Sequence, residues 1–478
     1  PEAAKVLQAM ADDALLLAGE TVFLLDGDTA LDAATGAAIT PAPESYESVS
    51  VNNQLRSELA NTLAALKLFD ADRAVRLAAA QELQTNASVE MAPVLAQALA
   101  KEADGEIKAL LHQAHAQANL ASPDAAARLA AVRALADSAS PNTRSLLLPL
   151  LEAANEPDAQ VREAAHLAIE AIESRLAAGE IIGQIFSGLS LGSILLLAAL
   201  GLAITYGVMG VINMAHGELL MVGAYTTWLI QGLFRNHLPE LLDWYVLAAI
   251  PVAFMAAALV GMLLERAVIR RLYGRPLETL LATWGLSLIL IQAARVLFGA
   301  QNVEVANPAW MSGGVEVMAG LVLPWNRIVI IGFTLFVLGL IWALMQKTRL
   351  GLFVRAVTQN RPMAGCVGVH TARVDTMAFG LGAGIAGLGG VALSQIANVG
   401  PDMGQGYIVD SFMVVVLGGV GQLAGAVWAA LGLGVVTKFL EGWAGAVIAK
   451  IVVLVFIIVF IQKRPQGLFA LKGRFVDN

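Results

Sequence analysis

The stretch Ile181–Gly217, IIGQIFSGLSLGSILLLAALGLAITYGVMGVINMAHG, contains no Asp, Glu, Lys or Arg. About 20 consecutive apolar residues are enough to cross the hydrocarbon core of a bilayer. The stretch follows an acidic, alanine-rich region and is the first of several uncharged runs. It therefore predicts a polytopic membrane protein with a water-soluble region, residues 1–180, in front of it.

The two parts of the chain differ in charge. Residues 1–180 contain 12 Lys/Arg and 26 Asp/Glu, a net charge of −14, whereas residues 181–478 contain 18 and 12, a net charge of +6. The acidic front region is long enough to bury its own core, and its charge argues against nucleic acid as a partner. Cys366 is the only cysteine, which excludes an intrachain disulfide. We therefore expect two domains, residues 1–180 and 181–478.

Further uncharged runs indicate the membrane segments. They are 219–234, 244–264, 279–294, 328–346, 376–401, 411–437 and 442–462, the last interrupted by Lys450. The run 411–437 is rich in glycine, which predicts a short broken helix followed by a full span. The expected fold is all-α, with eight to nine membrane segments behind a helical front domain.

Basic residues concentrate in segments 265–278 and 347–373 and after residue 462. Lys and Arg favour cytoplasmic loops, so the pattern predicts a cytoplasmic C-terminus and an extracytoplasmic front domain. An exported domain requires a signal peptide, and the chain starts with PEAAKVLQAM. We interpret it as a processed chain, although a trimmed sequence would look the same.

Four segments of the front region place an Asp at a helix start and a base four residues later. The pairs are Asp72/Arg76, Asp104/Lys108, Asp124/Arg128 and Asp158/Arg162. An acid in the first turn favours the positive end of the helix dipole, and the four-residue spacing lets it pair with the base one turn on. The segments resemble HEAT-type repeats at irregular intervals, and residues 21–50 are turn-rich enough for a hairpin. The domain is either a docking surface or a spacer that stabilises the membrane part.

Motifs for chemistry are absent from the sequence. The dipeptide Gly-Lys does not occur, so the chain cannot bind nucleotide phosphates through a P-loop. His112 and His115 lack further ligands in a metal-binding pattern, which favours surface histidines over a metal site. We expect a transport subunit rather than an enzyme, with any ATP used by another subunit.

Three stretches are more specific than generic membrane sequence. They are VINMAHGELLMVGAY (211–225), TRLGLFVRAVTQNRPMAGCVGVHTARVDTMAFGLGAGIAGLGGVAL (348–393) and VVLGGVGQLAGAVWAALGLGV (415–435). They resemble the LivH-like permeases of branched-chain amino acid ABC importers. The lead-in VNNQLRSEL (51–59) and the helical repeats are similar to the urea-transporter branch, the UrtB type.

The resemblance implies an inner-membrane permease subunit that imports urea and contains no cofactor of its own. Its implied partners are a second related permease, two cytoplasmic ATPases that use ATP and Mg, a periplasmic binding protein and the lipid bilayer, with no nucleic acid. Import of a branched-chain amino acid or short amide is the alternative within the class. A passive urea channel and a membrane-anchored scaffold are alternatives from other classes.

Urea carries amide donors and a carbonyl acceptor, so neutral polar side chains suit its path. Candidates at membrane depth are Thr205, Tyr206, Asn213, His216, Glu218, Thr283, Gln292, Ser394, Gln395 and Asn398. Glu218 alternatively caps a helix at the interface, and Asn213 and His216 alternatively satisfy backbone groups near glycines. We expect Lys450 to extend towards the membrane surface.

The resemblance also implies a helix that couples the permease to the ATPase within Thr358–Val367, TQNRPMAGCV. The residues expected at this contact are Thr358, Gln359, Asn360, Met363, Ala364 and Gly365. Pro362 suits the first turn of such a helix, and the alternative is a loop that only determines topology. The pairs Gly380/Gly384 and Gly421/Gly425 predict close helix contacts, either within one subunit or between two permeases.

Overall fold

The computed structural model describes residues 2–12, 14–18, 21–26, 29–33, 37–39, 46–49, 51–318 and 321–469. The chain separates into two compact units, Pro1–Ala178 and Gly179–Asn478, called here the front unit and the membrane unit. One helix, Ala159–Met209, contributes residues to both. The change in composition near residue 180 is therefore not a break in secondary structure.

The front unit begins with a helix and a small antiparallel sheet. The elements are α1 (Glu2–Ala11), β1 (Leu15–Ala18), β2 (Thr21–Asp26), β3 (Thr29–Asp32), β4 (Ala38–Ile39) and β5 (Glu47–Ser48), with strand order β4-β3-β2-β1-β5. Phe23 is fully buried and meets the ring of Tyr46 edge to face. The all-α prediction is wrong here. Residues 21–50 do contain a hairpin, β2 and β3, but strands this short carry too little alternation to be recognised singly.

Helices make up the rest of the front unit. They are α2 (Asn53–Lys67), α3 (Arg73–Asn86), α4 (Ala92–Lys101), α5 (Gly105–Asn119), α6 (Ala125–Leu135), α7 (Pro141–Leu147) and the first part of α8 (Ala159–Met209). One core, around Leu83 and Leu95, joins α2 to α5. A second, around Leu135 and Ile172, joins α5 to α8. The HEAT-type interpretation of these helices stays a prediction.

The expected Asp/Arg pairs within single helices are wrong for Arg76 and Arg128. The Asp72 and Asp124 side chains instead cap their helices, each accepting from the backbone N–H two residues on, at 2.9 and 3.0 Å. Asp158 also caps, and Arg162 donates to the Glu156 carbonyl at 2.8 Å. Asp104 does not pair with Lys108 in the described contacts but with Arg73, 2.8 Å away. The Asp72 and Asp124 carboxylates thus satisfy backbone donors at their helix starts, and the two arginines find other partners.

The arginines reach forward to a later loop. Arg76 Nε lies 2.9 Å from Glu102 Oε2, and Arg128 Nε lies 2.7 Å from Glu156 Oε2. Both carboxylates are almost buried, with side chains 6% and 1% exposed. The hydrogen bonds from the arginines hold the pKa of Glu102 and of Glu156 below its usual value. Each pair therefore fastens one helical hairpin to the next.

The membrane unit contains the remaining helices. They are the rest of α8, α9 (His216–His237), α10 (Tyr245–Ala267), α11 (Pro276–Phe298), α12 (Trp325–Lys347), α13 (Arg349–Gln359), α14 (Arg361–Cys366), α15 (Thr371–Ser394), α16 (Met403–Gly418), α17 (Leu423–Ala444) and α18 (Ala446–Lys463). In the described part of the chain, seven helices are long and apolar enough to cross a membrane. The expected eight to nine segments are reached only by adding α9 and the 16-residue α16.

The glycine-rich run 411–437 contains a short helix followed by a longer one. α16 ends at Gly418 and α17 starts at Leu423, with Gly419 and Gly421 at φ +99° and +76° between them. The short helix starts earlier than expected, at Met403. Positive φ is readily adopted only by glycine, so the glycines here make the turn between two helices.

Close backbone contacts surround α15. A Cβ atom at Gly382 would lie 2.5 Å from the Gly201 carbonyl oxygen of α8, and one at Gly384 would lie 2.5 Å from the Phe254 ring of α10. A Cβ atom at Gly380 would meet Met262 at 2.8 Å. Gly380 and Gly384 thus pack against α10 within this chain. A second hairpin, β6 (Gly314–Met318) and β7 (Leu321–Pro324), is a further departure from the all-α prediction.

Candidate functional site

The chain is not helical between α8 and α9. Residues 210–215 are not helical, and Gly210 has φ +66°. Thr283 on α11 supports the interruption, because its hydroxyl accepts from the Met214 N–H at 3.1 Å and donates to the Leu280 carbonyl at 3.0 Å. Asn213 Oδ1 accepts from the Ala215 N–H at 3.0 Å. Side chains therefore replace part of the missing helical hydrogen bonding, as buried backbone groups require.

Five buried polar side chains lie at this interruption, at the start of α9 and on the facing part of α11, and are called here the break cluster: Asn213, His216, Glu218, Thr283 and Ser287. All are buried, none more than 3% exposed. His216 Nε2 lies 3.0 Å from the Ala198 carbonyl oxygen, and Glu218 Oε1 accepts from the Ser287 hydroxyl at 2.9 Å. Ionisable groups in membrane segments are costly and usually mark functional positions.

The break cluster retains unused hydrogen-bonding capacity. Asn213 Nδ2, His216 Nδ1, Glu218 Oε2 and the Tyr225 hydroxyl are buried without a partner among the described residues. Tyr225 lies two helical turns after Glu218, on the same face of α9. Buried polar atoms are nearly always paired in folded proteins. Four unpaired ones near one interruption make the break cluster a candidate for contact with a polar solute.

A second polar group, the Gln395 cluster, consists of Gln231, Tyr245, Ser394 and Gln395. The Tyr245 hydroxyl lies 3.2 Å from Gln395 Oε1 and 2.7 Å from the Ala306 carbonyl, to which Gln231 Nε2 also donates at 2.8 Å. At 1.5 Å per residue, Gln231 lies about 22 Å along α9 from His216. The two clusters thus occupy opposite ends of α9.

The structure brings only part of the expected path together. Asn213, His216, Glu218 and Thr283 lie at the break cluster, and Ser394 and Gln395 lie in the other. The Thr205 hydroxyl bonds to its own helix, 3.0 Å from the Leu202 carbonyl, and Tyr206 is half-buried. Gln292 and Asn398 are exposed on this chain, unlike the buried members of both clusters.

Sequence reasoning missed Ser287, the partner of Glu218. A signal was present, because Thr279, Thr283 and Ser287 are spaced four residues apart and all three are buried on one face of α11. His112 and His115 are both described, and the described residues contain no group of three His, Cys, Asp or Glu able to hold a metal. Lys450 does not simply extend outwards: its Nζ lies 3.5 Å from Asp410 Oδ2 on α16.

The expected coupling segment contains the end of α13 and the short helix α14. Asn360 Oδ1 accepts from the Met363 N–H at 3.0 Å and so caps α14, with Pro362 in the first turn. Met363 is 60% exposed and a Cβ atom at Gly365 would meet nothing, whereas Ala364 is 4% exposed. Gln359 is exposed, and the Thr358 hydroxyl bonds to the Val354 carbonyl at 2.8 Å. Ala364 therefore faces its own chain.

Arg361 fastens this segment to the helix that follows, and Arg270, in the loop after α10, binds the same helix. The Arg361 guanidinium binds both carboxylate oxygens of Asp375 on α15 and donates to the Tyr273 hydroxyl at 2.8 Å. Arg270 binds Glu265 at 2.9 Å and the Thr376 hydroxyl at 2.6 Å. A displacement of α14 would thus be transmitted directly to the first turn of α15, the most buried of the seven membrane-length helices.

A bundle of apolar helices packed through glycine, with buried polar clusters at helix interruptions, defines a multi-pass membrane protein of the transporter class. Residues 184–461 match the family described as the permease component of the branched-chain amino acid transport system. The chain belongs to this family of ABC permeases. No solved structure matches it.

Curated relatives agree with the family. The branched-chain amino acid transport permease BraD of Pseudomonas aeruginosa is 29% identical over 291 residues, covering 60% of this chain and 94% of BraD. LivH of Escherichia coli K12 is 29% identical over 292 residues, with the same two shares. A probable LivH of Methanocaldococcus jannaschii is 26% identical, covering 58% of this chain and 88% of that protein.

Proposed function

We propose that this permease imports urea across a bacterial inner membrane, driven by ATP hydrolysis on partner subunits. The observation that carries the proposal is the set of unpaired polar atoms at the break cluster. Asn213 Nδ2 is a donor for a carbonyl oxygen, and Glu218 Oε2 is an acceptor for an amide N–H. Urea presents both groups on a small neutral molecule. The similarity of the lead-in and front repeats to the urea-transporter branch supports the same substrate.

A branched-chain amino acid is the second candidate substrate, because the relatives are named for it. An amino acid carries an ammonium and a carboxylate, which favour fixed counter-charges. Within the break cluster, Glu218 is the one acid and no Lys or Arg accompanies it. This difference makes the smaller, neutral solute the better match to that cluster.

The proposed assembly contains a second related permease, two cytoplasmic ATPases and a periplasmic binding protein. The front unit would lie outside the cytoplasm and the C-terminus inside. Protease added to intact spheroplasts tests this orientation. We expect cleavage within residues 1–178 and protection of the 347–373 loop, and the reverse pattern would contradict it.

Substrate and site are tested together in proteoliposomes that contain the assembled importer and its binding protein. We expect ATP-dependent uptake of labelled urea and little uptake of leucine. Asn213→Ala and Gln395→Ala should each reduce uptake about tenfold, since each leaves a buried polar partner unsatisfied. The matched variants Asn398→Ala and Gln292→Ala alter exposed side chains and should transport normally.

Each alternative has a distinct outcome in this assay. Uptake of leucine instead of urea would identify the second candidate substrate. Urea flux that does not require ATP would support a passive channel. Equal rates in all four variants would assign both clusters to structure alone.

The coupling proposal places the exposed face of α14, with Met363 and Gly365, in a groove of an ATPase. Gly365→Trp should abolish substrate-stimulated ATP hydrolysis and uptake together, because a fitted contact does not accept added bulk. Leu277→Trp is the control, since Leu277 is 75% exposed in the other basic loop. Normal coupling in Gly365→Trp with loss in Leu277→Trp would move the contact to residues 265–278.

A further inference from the structure

A charged cleft lies among four helices of the membrane unit, apart from both polar clusters. Residues of α8, α16, α17 and α18 enclose a volume of about 260 Å³. Its polar lining combines two acids, two lysines and two hydroxyls: Asp410, Glu441, Lys438, Lys450, Tyr407 and Thr437. None of these residues was expected on the translocation path.

The ion pair across the cleft is loose. Lys450 Nζ and Asp410 Oδ2 are 3.5 Å apart, longer than an ordinary hydrogen bond to nitrogen. An ammonium has three donors and a carboxylate about four lone-pair sites, so each group can bind another partner while the pair remains. Lys438 pairs with Glu441 one turn further along α17. The cleft therefore presents donors and acceptors side by side.

The position of the cleft fits a transport role. Asp410 lies on α16, whose 16 residues are too few to cross a bilayer. Interrupted helices commonly form the solute sites of membrane transporters. Lys450 lies about 6 Å along α18 from its start, at 1.5 Å per residue. On the proposed orientation this end of α18 faces outwards, so the cleft lies near the side from which an imported solute arrives.

We propose that this cleft is an outer solute-binding site of the permease. Lys450 donates to an oxygen of the solute, and Asp410 or Glu441 accepts from its N–H groups. The inference rests on the proposed importer function and adds a site to it. The chemistry recognised is an oxygen acceptor beside nitrogen donors, which urea, short amides and α-amino acids all present.

Thiol protection tests the site in the assembled permease and ATPases, without the binding protein. Cys366 is the only native cysteine, so Cys366→Ser supplies a background in which Thr437→Cys reports from the cleft lining. We expect urea or leucine to slow its reaction with a small maleimide at least about threefold. Val447→Cys is the control on α18, because Val447 is 74% exposed and does not line the cleft.

The double variant Asp410→Asn/Lys450→Met separates binding from structure. It leaves no unpaired charge, so a purely structural ion pair would be replaced at little cost. In the Thr437→Cys background we expect protection to disappear, and in the importer we expect uptake to fall at least about tenfold with normal assembly. Arg275→Met/Glu278→Gln removes an exposed pair, 3.0 Å apart, and should change neither.

The outcomes distinguish this site from the proposed substrate. If leucine protects Thr437→Cys and urea does not, the cleft remains the proposed site, and leucine replaces urea as the proposed substrate. If the unaltered importer transports urea but neither solute protects Thr437→Cys, the proposed cleft site is wrong and the proposed import of urea stands. Normal uptake and protection in the double variant, or equal protection at Val447→Cys, also overturn it.

Discussion

Helices α5 and α6 of the front unit and helices α9 and α15 of the membrane unit are both built mainly from small and aliphatic residues, but different groups join them. The front helices meet through Ala and Leu side chains, and Arg128 reaches from α6 to the buried Glu156 before α8. The membrane helices meet backbone to backbone: a Cβ atom at Gly223 of α9 would collide with the backbone of Gly387 on α15.

The difference follows from the solvent on each side of the chain. In water, burial of apolar side chains drives helices together, and a few buried ion pairs select which loops meet. In lipid, apolar side chains gain nothing by leaving the solvent, so helices associate through close packing that only small residues permit. Substitution of tightly packed glycines should therefore destabilise the membrane unit most, and substitution of a buried arginine should destabilise the front unit most.

The largest expected effect is at Gly390 on α15. A Cβ atom there would collide with the Leu220 carbonyl oxygen and lie 2.8 Å from the Ala224 nitrogen. Gly390→Val should destabilise the membrane unit by about 3 kcal/mol or more, because backbone atoms cannot move aside. Thermal unfolding followed by tryptophan fluorescence measures it, since all eight Trp lie in this unit. Gly339→Val, where a Cβ atom meets nothing, is the control; equal melting of the two variants would contradict the packing argument.

The next effect concerns the front unit alone. Arg128→Met leaves the Glu156 carboxylate buried without its partner, so amides of α6 and of the start of α8 should exchange about tenfold faster. Hydrogen exchange read by mass spectrometry localises the change, and tryptophan melting should stay the same. Arg144→Met breaks a pair whose side chains are 40% and 48% exposed, and we expect little change there. Similar exchange in both variants would remove any special role for the buried pair.

Acid should weaken the front unit. Hydrogen bonds from the arginines lower the pKa of Glu102 and Glu156 in the folded state. Their stabilisation is complete above the unfolded Glu pKa of about 4.3 and is lost as pH falls through the lower folded value. Incubation at falling pH, followed by an exchange pulse at one fixed pH, should show loss of protection in α3 to α6 only below about pH 4. Loss that begins near pH 6 would point to histidine instead.

The smallest expected effect is a gain in stability at Gly232. Gly232 lies inside α9, and a Cβ atom there would meet nothing within 4 Å. Gly232→Ala should stabilise the helix by about 0.5–1 kcal/mol, because alanine loses less backbone entropy. The same fluorescence melt measures it. A fall in stability would indicate that this face of α9 packs against another subunit.

Helix location was accessible from sequence wherever a long pattern existed. Uncharged runs predicted α10, α11 and α12, and glycine composition predicted the short helix before α17. The sheet in residues 15–48 was not accessible as a whole, because strands of two to six residues carry no extended period and pair with non-adjacent segments. Sequence placed the Asp residues correctly at helix starts, but their pairing with the base four residues on was wrong for Arg76 and Arg128, because the same Asp can cap a helix or pair with its next turn.

The site was predictable only as a set of residue types. The cost of polar groups in lipid identified Asn213, His216 and Glu218, but composition could not tell that Gln292 and Asn398 are exposed. Predicting Ser287 as a site residue required knowing that α11 faces the interruption between α8 and α9. Lys450 and Asp410 are 40 residues apart in sequence, and only the return of the chain through α17 brings them together.

The glycine contacts around α15 also limit how this protein can move. Gly382 touches the α8 backbone and Gly390 touches that of α9, so sliding α15 by one residue would replace a hydrogen with a side chain at a point that has no room. Packed in this way, α8, α9, α10 and α15 should travel as one body during a transport cycle. The non-helical segment 419–422 lies outside this body, between α16 and α17, and is then a point about which the remaining helices would swing. Cross-links confined to the four-helix body should leave the cycle intact.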